Sequence, residues 1–193
     1  MTKWLSHRMV ERGIIKEEEQ ELYQFGIRNG MILLLNVVTA LVIGLLTEQL
    51  AVVAVFTLSF MVLRSYTGGY HSDSRIFCYL GSNLVLLVPV YTQAMFCKTS
   101  LAWLLAVLLV SAGIIFLLSP MHSKNRKLDK EEQKHFGRKA RLIAALELAV
   151  LGILWHAGQI PYAYAVYTGI CITALFMLVG KAQLWIQSHT ENG

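Results

Sequence analysis

The segment Arg64-Ser-Tyr-Thr-Gly-Gly-Tyr-His-Ser-Asp-Ser-Arg-Ile-Phe-Cys78 holds one histidine, His71, and one cysteine, Cys78. A thiol attacks a carbonyl as the thiolate, and a neighbouring base or cation makes thiolate available near neutral pH. Histidine is the usual partner, because its unperturbed pKa lies close to working pH. In a straight helix, residues seven apart share a face but are separated by about 10 Å of axial rise. That exceeds the reach of a hydrogen bond, about 3 Å. The chain must therefore fold back, or His71 must sit in a turn ahead of a helix. Gly68-Gly69 supplies the backbone freedom for such a turn. Cys78 then falls in the first turn of the next helix, where the dipole and free N–H groups lower a thiol pKa. The spacing is compatible with a Cys/His dyad. On spacing alone, a structural pair remains the simpler alternative.

The elements that must position this segment are apolar. The chain has 193 residues, 55% hydrophobic and 15% charged, whereas a soluble domain is about one quarter charged. Mean hydropathy is +0.53. Such a composition excludes a disordered chain. It also argues against a soluble domain, because so small a body cannot bury so much apolar surface. What remains is an all-α integral membrane protein. The net charge of +5 fits an anionic membrane face better than nucleic acid. Six apolar stretches follow one another: roughly Gly30–Leu46, Leu50–Leu63, Ile76–Phe96, Leu101–Leu118, Leu142–Trp155 and Tyr162–Val179. A bilayer core takes about 20 helical residues. The second and fifth stretches have only 14, so flanking residues must extend them or they stop short. The first begins too late for a secretory signal peptide and is expected to stay in the mature protein.

Six spans with a cytoplasmic N-terminus place 16 of the 17 Lys and Arg inside, leaving only Lys98 outside. The positive-inside rule favours that orientation. We expect one transmembrane domain over residues 1–193. It has a lead-in at 1–29, a candidate catalytic loop at 64–78 and a basic cytoplasmic loop at 119–141. In the lead-in, Gly13 separates two short helical pieces, and Glu17, Glu18, Glu19 and Glu21 gather at the start of the second, where the dipole favours carboxylates. Trp4, Leu5, Met9 and Val10 suit an interfacial helix, and a plain cytosolic helix fits equally. Ser123–Arg141 reads as a solvated helix with i,i+4 pairs Lys127–Glu131 and Glu131–His135. A basic surface for an acidic partner or anionic lipid is its functional alternative.

Other chemistry-bearing residues fit less well. Cys97 should lie across the bilayer from His71, and Cys171 sits mid-span as packing. Three scattered cysteines make no disulfide framework. Asp73 could orient His71, although a separation of two residues is awkward and a solvated loop Asp is simpler. Ser72 and Ser74 read as turn residues. Pro89 should kink the third stretch. Glu147 lies inside the fifth stretch, and an intramembrane carboxylate is a functional candidate by default. Its bland alternative is pairing with Arg141 or Lys139. No G-x-x-x-x-G-K-[ST] or H-E-x-x-H occurs, so neither ATP nor zinc is suggested and no cofactor is expected.

The pattern Arg64-x-x-x-Gly68-Gly69-x-His71, followed seven residues later by Cys78, resembles the AgrB (accessory gene regulator B) family. These are bacterial membrane peptidases that process the precursor of a cyclic autoinducing peptide. The stretch Gly13-Ile-Ile-Lys-Glu-Glu-Glu-Gln-Glu-Leu-Tyr23, the size, the six apolar stretches and the basic loop agree with it, so the resemblance covers nearly the whole chain. It implies that Cys78 is the nucleophile and His71 its base. It also implies supporting roles for Arg64 and Gly69, with Gly68 beside them. Ser72 stands where members often carry Ala, a small change.

The resemblance further implies cleavage of a precursor peptide at its C-terminal side and cyclisation to a thiolactone or lactone. The expected partners are that precursor, with an amphipathic leader and an acidic tail, the lipid bilayer, and a second copy of the chain as a candidate homodimer. A transporter or scaffold is the competing class. It would explain six spans and Glu147 but would leave the Gly-Gly-Tyr-His…Cys stretch without a purpose. A short precursor gene beside this one would separate the readings.

Overall fold

The computed structural model describes residues 2–68, 75–121 and 130–190. Every regular element among them is helical: α1 (Thr2–Glu11), a 3-10 turn (Glu17–Glu19), α2 (Gln20–Leu46), α3 (Leu50–Thr67), α4 (Arg75–Phe96), α5 (Leu101–Leu118), α6 (Lys130–His156) and α7 (Ile160–Thr190). The chain divides into two compact units, residues 1–39 and 40–193, with the boundary inside α2.

In the first unit, α1 closes at Gly13, which has φ +66°. The Gly13 N–H bonds to the Val10 carbonyl and the Ile14 N–H to that of Met9, both at 2.9 Å, the paired closure that ends many helices. The Lys16 N–H then donates to the Glu19 carboxylate at 3.3 Å, opening the next helical run. Trp4 and Leu5 are exposed on α1, and the Arg8 guanidinium covers the Trp4 ring at 5.2 Å.

In the second unit α7 is the central post, packed against α3, α4, α5 and α6, most extensively against α3. One core joins Leu63, Ile115, Ala144, Leu151, Val166, Ile170 and Met177. A second joins Val53, Phe56, Leu86, Val90 and Ala165. At the far end of α4, Phe96 meets Tyr164 at 4.6 Å, Tyr167 at 5.2 Å and Trp155 at 5.7 Å. There Tyr167 donates to the Leu104 carbonyl at 3.3 Å, and Thr92 bonds the Tyr164 hydroxyl.

Among the described residues, four runs are long and apolar enough to cross a membrane: Glu17–Leu46, Leu50–Thr67, Leu101–Leu118 and Ile160–Ile186. Six were expected. The short second stretch is completed because α3 continues through Arg64–Thr67 to 18 residues. Ser82, Asn83, Thr92 and Gln93 dilute α4, which also contains Pro89. Charges occupy α6 through Arg141, and the apolar remainder carries Glu147. The expected loop at 64–78 is also shorter than its hydropathy suggested. Residues 64–67 close α3, and residues 75–78 open α4, which sets Cys78 in a first helical turn as expected.

Candidate active site

The site is built at the C-terminal end of α3. The helix stops because Gly68 takes φ +69° and ψ −153°, a region that L side chains avoid. That turn swings the Gly68 carbonyl off the helical ladder, and Arg64 recovers it by donating from Nη1 at 2.7 Å. The same guanidinium lies over the Phe176 ring of α7 at 5.1 Å, a cation–π contact. Arg64 is thereby held from two sides, by its own helix end and by the central post.

Gly68 is also pressed against a distant segment. The Met121 N–H donates to the Thr67 carbonyl at 2.9 Å. A Cβ on Gly68 would meet the Met121 carbonyl oxygen at 2.6 Å, so the approach requires glycine. Pro120, which follows a cis peptide bond, packs on Gly137 of α6, where an added Cβ would sit 3.0 Å from its ring. Tyr66 meets Phe136 at 6.3 Å and lies under the Lys139 ammonium at 5.9 Å. Arg141 Nε donates to the Phe116 carbonyl at 3.1 Å. The ends of α3 and α5 and the first turns of α6 thus meet in one clasp. From it the chain leaves twice, once toward Cys78 and once into the basic segment that precedes α6.

Cys78 is the fourth residue of α4, in its first turn. His71, Gly69, Asp73, Ser72 and Ser74 lie outside the described residues, as does the Cys78 side chain. Among the sequence candidates, the structure joins Arg64 to Gly68. Cys97 is exposed just beyond α4, and Cys171 is half-buried on α7. Glu147 accepts a hydrogen bond from Ser59 Oγ at 2.8 Å, while Lys139 and Arg141 make the contacts given above. Sequence reasoning missed Ser59, Met121 and Phe176. Each acts through a partner far away in the chain, and no local spacing marks it. Among the described residues, no group of three or more His, Cys, Asp or Glu side chains is placed to hold a metal ion.

The family profile of accessory gene regulator B matches residues 1–178. The chain belongs to the accessory gene regulator B family. The match takes in the whole of Arg64–Cys78 together with the clasp that carries it. A protein named as AgrB-like from Clostridium perfringens (strain SM101 / Type A) is 23% identical over 148 residues, 74% of this chain and 69% of that protein. A second AgrB-like protein, from Clostridium perfringens (strain 13 / Type A), is 24% identical over 131 residues, 65% of this chain and 61% of that protein. The chain thus spans about two thirds of these relatives' lengths. No solved structure matches it. Membership of the AgrB family, with the apolar helices, identifies a membrane protein of a family involved in autoinducing-peptide processing.

Proposed function

We propose that the protein is a six-span membrane cysteine endopeptidase that cleaves a precursor peptide at its C-terminal side, releases the C-terminal fragment and promotes cyclisation of the remaining part to a thiolactone or lactone. The observation that carries this reading is the position of Cys78. It stands in the first turn of a helix, seven residues after the only histidine of the segment, beyond a helix end fixed by Arg64 and Gly68. Helix N-termini favour the thiolate. Family membership supports the substrate class. In this reading α4 and α6 cross the membrane with the four more apolar helices, the clasp faces the cytoplasm, and the precursor carries an amphipathic leader and an acidic tail.

His71 takes the Cys78 proton, and the thiolate adds to the scissile carbonyl. The tetrahedral intermediate collapses with cleavage of the C–N bond, and His71 returns the proton to the leaving amine. The product is a thioester between Cys78 and the N-terminal part of the precursor. A substrate thiol then attacks that thioester, forming a thiolactone and restoring the Cys78 thiol. One thioester replaces another, so no ATP is needed. A substrate hydroxyl would give a lactone instead. Water must stay away for cyclisation to beat hydrolysis.

The test is a cleavage assay in membranes with a precursor peptide. Wild type should release the C-terminal fragment, and a hydroxylamine-sensitive adduct should map to Cys78 by mass spectrometry. Cys78→Ala should do neither. Cleavage by Cys78→Ala at the wild-type rate would overturn the reading.

A further inference from the structure

One half-buried polar contact lies outside the clasp and has no part in the chemistry above. Glu147 stands on the inward stripe of α6, among Ala140, Ala144 and Leu151, all buried. Its carboxylate accepts from Ser59 Oγ at 2.8 Å, and Ser59 is itself buried on α3. The third member is Gly169 of α7. A Cβ there would lie 2.6 Å from Ser59 Oγ and 3.3 Å from Ser59 Cβ. Glycine at 169 leaves the space in which the Ser59 hydroxyl turns onto Glu147. Three helices thus contribute one acceptor, one donor and one vacancy of side chain.

The position of this contact gives it a consequence. Seven residues further along α7, on the same helical face, Phe176 packs against Phe60 at 5.9 Å and lies under Arg64 at 5.1 Å. Helix α3 is therefore gripped by α7 at two heights, and at the lower one it is also tied to α6. From Ser59 to Gly68 the helix rises about 13 Å. A slide or rotation of α3 at Ser59 would be transmitted along that rigid length. It would lift Arg64 from Phe176 and Gly68 from Met121. Apolar side chains tolerate small slides, whereas a directional bond between polar groups inside a helix interface specifies one register.

We infer that Ser59, Glu147 and Gly169 form an interhelical lock that holds α3 in the register from which Arg64 and Gly68 present the catalytic segment. Glu147 is a positioning residue, acting through its hydrogen bond and not through its charge. This inference rests on the cysteine-peptidase reading. The lock belongs to the described helices, and its effect is read at Cys78.

The test compares Glu147→Gln, Glu147→Leu, Ser59→Ala and Gly169→Ala, with the amount of membrane-inserted protein measured for each. Glutamine keeps an acceptor of the same length and should cleave precursor at close to the wild-type rate. Glu147→Leu, Ser59→Ala and Gly169→Ala should each lower kcat by roughly tenfold with KM little changed, the size expected when one buried hydrogen bond is lost. A second readout does not depend on peptidase activity. In a background of Cys97→Ala and Cys171→Ala, the alkylation rate of Cys78 by a permeant maleimide should change in Glu147→Leu and Ser59→Ala and stay at the parent value in Glu147→Gln. Glu147→Leu with unchanged kcat and unchanged alkylation would overturn the lock. Glu147→Gln as impaired as Glu147→Leu would show that the charge matters and overturn the positioning role. If wild type failed to cleave precursor, the peptidase reading would fall, and the alkylation series would still decide the lock.

Discussion

The Arg64 guanidinium turns back on the chain that carries it, bonding Gly68 and covering Phe176. A planar, delocalised guanidinium stacks on the ring and keeps an N–H on the carbonyl, a geometry that a compact lysine ammonium reproduces poorly. Arg64→Lys should therefore lower precursor cleavage by about tenfold or more, since losing about 1.4 kcal/mol of positioning costs that factor. Arg64→Ala should be worse, and turnover per inserted molecule is the measurement. His71 and Cys78 make a different prediction. Each alanine variant should abolish cleavage, and the double variant should be no worse than either single one, because a base and its nucleophile act as a unit. Cys97→Ala and Cys171→Ala should retain activity. Residual cleavage in His71→Ala comparable to wild type would remove the base from the scheme.

Helix ends explain most of what the sequence did and did not reveal. The apolar run Leu101–Leu118 coincides with α5. By contrast, the second apolar stretch ends at Leu63, whereas α3 runs to Thr67. Hydropathy stops where side chains become polar, whereas the backbone ladder stops only at the Gly68 dihedral. That difference moves Arg64 from a loop into the last helical turn. Likewise α6 starts at Lys130, well before its apolar part. Gly69 lies outside the described residues, and Gly68 was legible as a turn residue. That Gly68 is pressed against Met121 was not, because the partner is more than fifty residues away. Gly68→Ala should consequently lose activity, combining a positive-φ backbone that is essentially glycine-only, which costs about 1–3 kcal/mol, with a Cβ at 2.6 Å from the Met121 oxygen. Precursor cleavage and detergent melting of the purified protein should both fall. A fully active Gly68→Ala would mean that the clasp does not shape the catalytic segment.

At the scale of the molecule, the distribution of Lys and Arg predicts which end faces the cytoplasm. A single cysteine introduced at Lys98 or Gln159, in an otherwise cysteine-free chain, should react with an impermeant maleimide applied to intact cells. One at Lys130 should not react, and labelling there would invert the arrangement. The two ends of the helical body also differ in how they are fastened. At the end of α4 remote from Cys78, Phe96 sits among Trp155, Tyr164 and Tyr167, with Leu104 and Thr92 held by hydroxyls. Rings from three helices, α4, α6 and α7, interlock there, and the Tyr167 hydroxyl adds α5. Among the described residues, the clasp end is joined instead by the Met121–Thr67 backbone hydrogen bond, the Arg141–Phe116 hydrogen bond, one ring pair, a proline seated on a glycine and cation contacts. Mechanically the aromatic cluster acts as a rivet. Among the described residues, that rivet fixes α4, α5, α6 and α7 to one another at the end remote from Cys78.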